Sequence, residues 1–188
     1  MSDQFQFSKI PWEVLKDKKV YGTPIFSLHE ISLKPEHQKS THPFYVLKAP
    51  EWINVIGLTP QKKIVLVEQY RAGIQQPTLE IPGGMVDSGE SPDEAARREF
   101  FEETGYSSTE WEYLGKTSSN PAILSNYTHL YLARNCEKTK PAMQAGSEDI
   151  KQHVIPFEQF LELVKNGTIH HSIVLAAVSK YLLYIRGN

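Results

Sequence analysis

Short apolar runs rich in β-branched and aromatic residues dominate the first half of the chain, and such runs form strands. They predict strands over 20–33, 43–47, 52–58 and 63–69. Thr59-Pro60-Gln61-Lys62 supplies turn residues between the last two, which predicts a hairpin. Leu79-Glu80-Ile81 reads as a short strand that Pro82-Gly83-Gly84 breaks. Further strands fit 111–116, 128–133 and 150–155.

The pattern predicts three helices. The first, over 91–104, has Ser91 as N-cap, Pro92 at its first position, Glu94 completing a capping box and Gly105 as its stop. The second covers 157–165 and ends at Asn166-Gly167. The third covers 170–185, with His170-His171 at its start. Its apolar residues cover most of the circumference, which places it in a core or an interface. Helices follow strands on both sides of the chain's middle, so an α/β fold with a mixed sheet between helices is expected. Residues 1–45 are expected to form a small β extension that pairs two copies into a homodimer, and residues 46–188 the main domain.

Composition narrows the function. The chain has 188 residues, 20 Lys+Arg and 22 Asp+Glu, for a formal net charge of −2. That balance does not suit a nucleic-acid binder working by bulk charge. Hydrophobic residues at 40% and aromatics at 11% exclude an acidic disordered chain. A single cysteine, Cys136, excludes an internal disulfide and a cysteine-rich zinc site. No apolar run approaches the ~18 residues of a membrane span. Residues 1–7 lack the apolar core of a secretion signal, so a cytoplasmic protein is expected. The seven histidines show no HExxH spacing, and no GxSxG, Walker A or GxGxxG motif occurs.

Charge is not spread evenly. Between Gly84 and Gly105 stand seven acids and two bases, a local charge of −5, while the remaining chain carries +3. On a helical wheel Glu99, Glu102 and Glu103 share an arc of roughly 100°, with Ala95 beside them and Ala96 and Phe100 toward the core. Carboxylates at such spacing repel by a few tenths of a kcal/mol per pair, roughly. Two of them also lie in the last turn, where the helix dipole disfavours negative charge. A hard cation such as Mg²⁺ or Mn²⁺ reverses the sign of this arrangement. The alternative is a solvated acidic face paired with Arg97 and Arg98.

The residues before the helix shift the weight toward the cation. Gly84, five residues, Glu90, seven residues, then Arg98-Glu99-Phe100-Phe101-Glu102-Glu103-Thr104-Gly105-Tyr106 resembles the Nudix box at every fixed position. Phe100 and Tyr106 stand where aliphatic residues are usual. The resemblance implies a Nudix-type α/β/α sandwich with a mixed sheet. It implies a hydrolase that cleaves a nucleoside diphosphate linked to another group. It also implies Glu99, Glu102 and Glu103 as metal ligands, the Gly83 carbonyl beside them, and Glu90 with Arg98 as a structural pair.

Outside the box the chain resembles the ADP-ribose and nucleoside diphosphate sugar pyrophosphatases. The stretches that carry this are Val67-Glu68-Gln69-Tyr70-Arg71, the lead-in Leu79 to Gly84, Pro121, and Gly146-Ser147-Glu148-Asp149-Ile150. By that likeness Glu148 is the candidate base or a further metal contact, with Glu102 and Glu103 sharing the catalytic site, and Arg71 meets a phosphate. Glu80 would bind a ribose or base edge, Trp52 would stack on the base and Pro121 would line the substrate site. Each has a plainer reading: a loop acid for Glu148, a salt bridge for Arg71, a strand-end acid for Glu80 and a core aromatic for Trp52. The expected activity is Mg²⁺-dependent cleavage of ADP-ribose or, next, GDP-mannose. The alternatives are a Nudix hydrolase of a dinucleotide or cofactor and a non-catalytic nucleotide sensor.

Overall fold

A computed structural model describes residues 11–37, 39–142 and 149–187. The chain divides into two compact units: Met1–Ala49 with Asn120–Ser125, and Pro50–Ser119 with Asn126–Asn188.

The first unit is a three-stranded antiparallel sheet of β1 (Trp12–Gly22), β2 (Ser27–Pro35) and β3 (His42–Lys48), in that order. The single strand expected over 20–33 is therefore two strands and a turn. Thr23 makes the turn: its N–H and its hydroxyl donate to the Phe26 carbonyl at 2.8 and 2.9 Å, and Oγ1 accepts the Phe26 N–H at 3.0 Å. Pro24, which cannot donate to a ladder, marks the break. Trp12 packs edge-on against Phe44. Asn120–Ser125 joins this unit through Leu47, whose N–H donates to the Ile123 carbonyl and whose carbonyl accepts the Ser125 N–H.

The second unit starts with β4 (Trp52–Leu58), β5 (Lys63–Arg71), β6 (Gln76–Glu80) and β7 (Gly83–Met85). Helix α1 (Pro92–Thr104) follows, then β8 (Tyr106–Ser107), β9 (Glu110–Thr117), β10 (Thr128–Arg134), β11 (Glu137–Lys138) and β12 (Lys151–Pro156). Helices α2 (Phe157–Lys165) and α3 (Ser172–Gly187) close it. Its main sheet runs β12-β5-β4-β10-β9, with β6 on β5 and β7 on β4. The β10–β4 pair is parallel and the others antiparallel, so the sheet is mixed. Gly83-Gly84, expected as a break, adds a short strand to β4.

Alternation along the strands feeds two cores. Ile53, Val55, Val65, Tyr131 and Ala133 bury against Ala95, Ala96 and Phe100 of α1. Ile56, Ile64, Leu66, Leu130 and Leu132 bury against Phe160 of α2 and Ile173, Val174, Ala177 and Val178 of α3. The result is an α/β/α sandwich. Gly57 lets α1 approach, since a methyl group there would sit 2.5 Å from the Phe100 ring. Helix α3 is not buried all round: Leu183 and Ile185 are exposed. Among the described residues no helix is long and apolar enough to cross a membrane.

Candidate active site

Helix α1 is locked at both ends. Ser91 Oγ accepts the Glu94 N–H, and the Glu94 carboxylate accepts the Ser91 N–H at 2.9 Å. At the other end Gly105 adopts a left-handed φ of 70° and donates to the Phe101 carbonyl. A side chain at Gly105 would also run into the Lys140 carbonyl. Gln152 Nε2, from β12, donates to the Glu103 carbonyl at 3.0 Å, supplying a partner to one of the last carbonyls of the helix.

This frame presents the three carboxylates. Glu103 is buried, and one of its oxygens accepts the Gly83 N–H at 3.0 Å. Glu99 lies against Gly84, where a methyl group would sit 2.3 Å from the carboxylate carbon. Glu99 and Glu102 both take a hydrogen bond from Arg98 Nη1, at 2.8 and 3.3 Å. Arg98 is itself gripped by Glu90 through Nε and Nη2, at 2.9 and 2.8 Å. The Arg98 hydrogen bonds outweigh burial and hold the Glu90 carboxyl below its usual range. Arg97 does not pair with the three-carboxylate arc. It bonds Asp93 at 2.8 Å and lies over the Trp111 ring.

Among the described residues no three His, Cys, Asp or Glu side chains surround a single point. The donors offered along this arc are nonetheless all oxygens, set on a rigid helix beside a glycine with no room for a side chain. That donor chemistry fits a hard divalent cation and not a soft one.

The turn between β6 and β7 is pinned by Asn54, which sequence reasoning missed. Its Nδ2 donates to the Ile81 and Pro82 carbonyls, both at 3.2 Å, and the Val55 N–H donates to Pro82 as well. A methyl group on Gly83 would meet Asn54 Nδ2 at 2.3 Å. The Asn54 amide thus takes the space that Gly83 leaves open. A polar residue inside the apolar run of β4 is the only sequence signal for it. Gln152 carried no signal at all.

Arg71 and Glu80, separate candidates by sequence, meet in the fold. Arg71 Nε and Nη2 donate to the two Glu80 oxygens at 2.8 and 2.7 Å. Thr78 Oγ1 also donates to Glu80. Burial alone would raise the Glu80 carboxyl, but the hydrogen bonds from Arg71 and Thr78 outweigh it and hold it below its usual range. Glu80 is 1% exposed and the Arg71 side chain 40%. Trp52 packs on the core beneath α2 and α3. Pro121 is exposed and belongs to the first unit. Glu148 lies outside the described residues, and Asp149 is exposed.

The NUDIX domain profile matches residues 51–178. Among curated relatives, a methanol dehydrogenase activator of Bacillus methanolicus is 29% identical over 173 residues, covering 88% of this chain and 92% of that protein. The ADP-ribose pyrophosphatase of Bacillus subtilis (strain 168) is 25% identical, covering 71% and 72%. A GDP-mannose pyrophosphatase of Escherichia coli is 26% identical, covering 83% and 87%. The crystal structure of an ADP compounds hydrolase superposes with a TM-score of 0.82 at 19% identity over 97% of this chain and 98% of that one, a likeness of fold.

Proposed function

The chain belongs to the Nudix family and is a hydrolase related to the ADP-ribose and GDP-mannose pyrophosphatases; from that premise we propose that it cleaves the pyrophosphate bond of a nucleoside diphosphate sugar. ADP-ribose is the first substrate and GDP-mannose the second, and the products are a nucleoside monophosphate and a sugar phosphate. One observation carries the reading: Glu99, Glu102 and Glu103 stand on one arc of a doubly capped helix, with Glu99 pressed on Gly84.

Nudix hydrolases generally use divalent metals, and Mg²⁺, with Mn²⁺ as a substitute, suits this oxygen donor set. Glu99, Glu102, Glu103 and the Gly83 carbonyl would hold it. When bound, such an ion neutralises diphosphate charge and lowers the pKa of a water. Arg98 sets Glu99 and Glu102 on the arc, and the Gly83 N–H sets Glu103. Arg71, oriented by Glu80, would offer its planar donor fork to a phosphate. Glu148 would take the proton from the attacking water, assisted by Glu102 and Glu103. Trp52 would complete the substrate site.

A homodimer is the assembly that the first unit supports. Its outer strand β1 is exposed along its whole length and carries Trp12, Val14, Leu15, Val20 and Tyr21. Unpaired edge strands and exposed apolar patches of this kind mark association surfaces. Residues 1–45 are read as that pairing element and 46–188 as the catalytic domain.

A second reading, a hydrolase of a nucleotide cofactor, draws support from the relative named for activating a dehydrogenase. A panel separates them: ADP-ribose, GDP-mannose and dinucleotides are each incubated with Mg²⁺ and products resolved by chromatography. Monophosphate from the nucleotide sugars at the highest kcat/KM is the expected result. Binding with no turnover of any compound would instead make the chain a nucleotide sensor.

A further inference from the structure

The buried Glu80 carboxylate has a third neighbour besides Arg71 and Thr78. His171 Nε2 stands 3.9 Å from Glu80 Oε2, with 29% of the His171 side chain exposed. His171 immediately precedes α3 and occupies the N-cap position. Its Nδ1 accepts the Ile173 N–H at 3.3 Å, and its carbonyl accepts the Leu175 N–H at 3.1 Å. A ring nitrogen that accepts carries no proton, so the proton of the neutral ring is assigned to Nε2, the atom that faces Glu80.

A second proton has only Nδ1 to bind. There it would displace the Ile173 N–H and set positive charge at the positive end of the α3 dipole. The charged groups facing the ring are Glu80 of β6, Arg71 of β5 and His170 beside it. Burial, Arg71 and His170 push the His171 imidazole below its ordinary range, and Glu80 opposes them. Glu80 is therefore the one neighbour that gains when the ring becomes charged.

We propose that His171 is a positioning residue for the Arg71–Glu80 pair: neutral, it caps α3 and leaves Glu80 to Arg71; protonated, it releases the cap and draws Glu80 Oε2 away from Arg71 Nη2. The inference rests on the reading of Arg71 as a diphosphate contact. Its consequence is that substrate affinity falls on acidification through a residue that never touches the substrate.

The test follows kcat and KM for the nucleotide sugar turned over best, with Mg²⁺, from pH 5 to 8. It compares the native enzyme with His171→Asn, Arg71→Lys and Glu80→Gln, and follows the His171 ring by NMR in the native enzyme and in Glu80→Gln. Asparagine keeps an N-cap acceptor and removes the titration. In the native enzyme KM rises at least threefold as the ring titrates, without a matching step in kcat. His171→Asn loses that limb, and Glu80→Gln moves the ring titration to lower pH. A ring titration unmoved by Glu80→Gln overturns the inference even should His171→Asn fail to fold. Raised KM in Arg71→Lys beside an unaltered acid limb in His171→Asn overturns the inference alone. Unchanged KM in Arg71→Lys overturns the substrate-contact reading and the inference with it.

Discussion

Glu99 packs directly on Gly84: a methyl group at that glycine would lie 2.3 Å from the carboxylate carbon and equally near one of its oxygens. The pair joins the short strand β7 to the acidic arc of α1. Gly84→Ala must push Glu99 off the arc or part β7 from the helix. Turnover is expected to fall at least tenfold while the melting temperature drops only a few degrees, on the order of 1–2 kcal/mol for local overpacking. Steady-state kinetics beside thermal unfolding checks this, and full activity in the variant would remove Gly84 from the site.

Glu103 tests the ligand assignment most directly. Glu103→Gln keeps an acceptor for the Gly83 N–H, so the fold is expected to survive. Loss of a metal-binding charge should lower kcat by a factor of about 10² or more. Chelation should abolish activity of the native enzyme and Mg²⁺ should restore it. An active Glu103→Gln protein would sink the assignment.

Glu148 is expected to act in the chemical step. Glu148→Gln should lower kcat far more than it raises KM. An unchanged kcat would transfer the role of base to another residue, with Asp149 first to be examined.

Asn54 holds the turn between β6 and β7 by two hydrogen bonds to backbone carbonyls. Asn54→Ala takes the side-chain donor from the Ile81 carbonyl, while the Pro82 carbonyl keeps the Val55 N–H, at a cost of roughly 1–3 kcal/mol. It also frees the Gly83-Gly84 segment, so denaturant unfolding and kcat should both report the change. An equally stable, equally active variant would show that β7 alone positions the loop.

Glu80 gives a pH dependence with a defined sign. Its folded-state carboxyl lies below the ordinary value, because the Arg71 and Thr78 hydrogen bonds outweigh burial. The stability it contributes is therefore full above the ordinary glutamate range and is lost as pH falls through the lower folded-state value. Glu80→Gln should cost about 2 kcal/mol near pH 7 and progressively less toward pH 3, read by urea unfolding at each pH. A cost independent of pH would mean that the carboxylate charge is not what Arg71 holds.

Local signals made part of this protein legible. Helix α1 follows its predicted course because Ser91, Pro92, Glu94 and Gly105 act within one or two turns of it. Strand β4 and helix α2 keep their predicted bounds, Trp52–Leu58 and Phe157–Lys165, for the same reason: short apolar periods ended by turn residues. The hairpin between β4 and β5 forms through Gly57↔Val65 and Leu58↔Ile64. The acidic arc and the motif around it were likewise visible, since a helix turns i, i+3 and i+4 to one side whatever surrounds it.

The remainder belongs to contacts between residues far apart in the chain. Asn54 meets the Ile81 carbonyl across 27 positions, and Gln152 meets Glu103 across 49. Strand register sets Val67 opposite Glu80 and Arg71 opposite Gln76, so Arg71 and Glu80 share one face of the β5–β6 pair, where their side chains meet and two candidate contacts become one pair. Which oxygens Arg98 holds, and which side chain fills the space above Gly83, follow from packing. Caps, turns and periodicity act within a few residues, so helix α1, strand β4, helix α2 and the acidic arc are readable from the chain alone. Which groups become neighbours depends on pairing register and on how closely a helix approaches a sheet, so it emerges only in the folded chain.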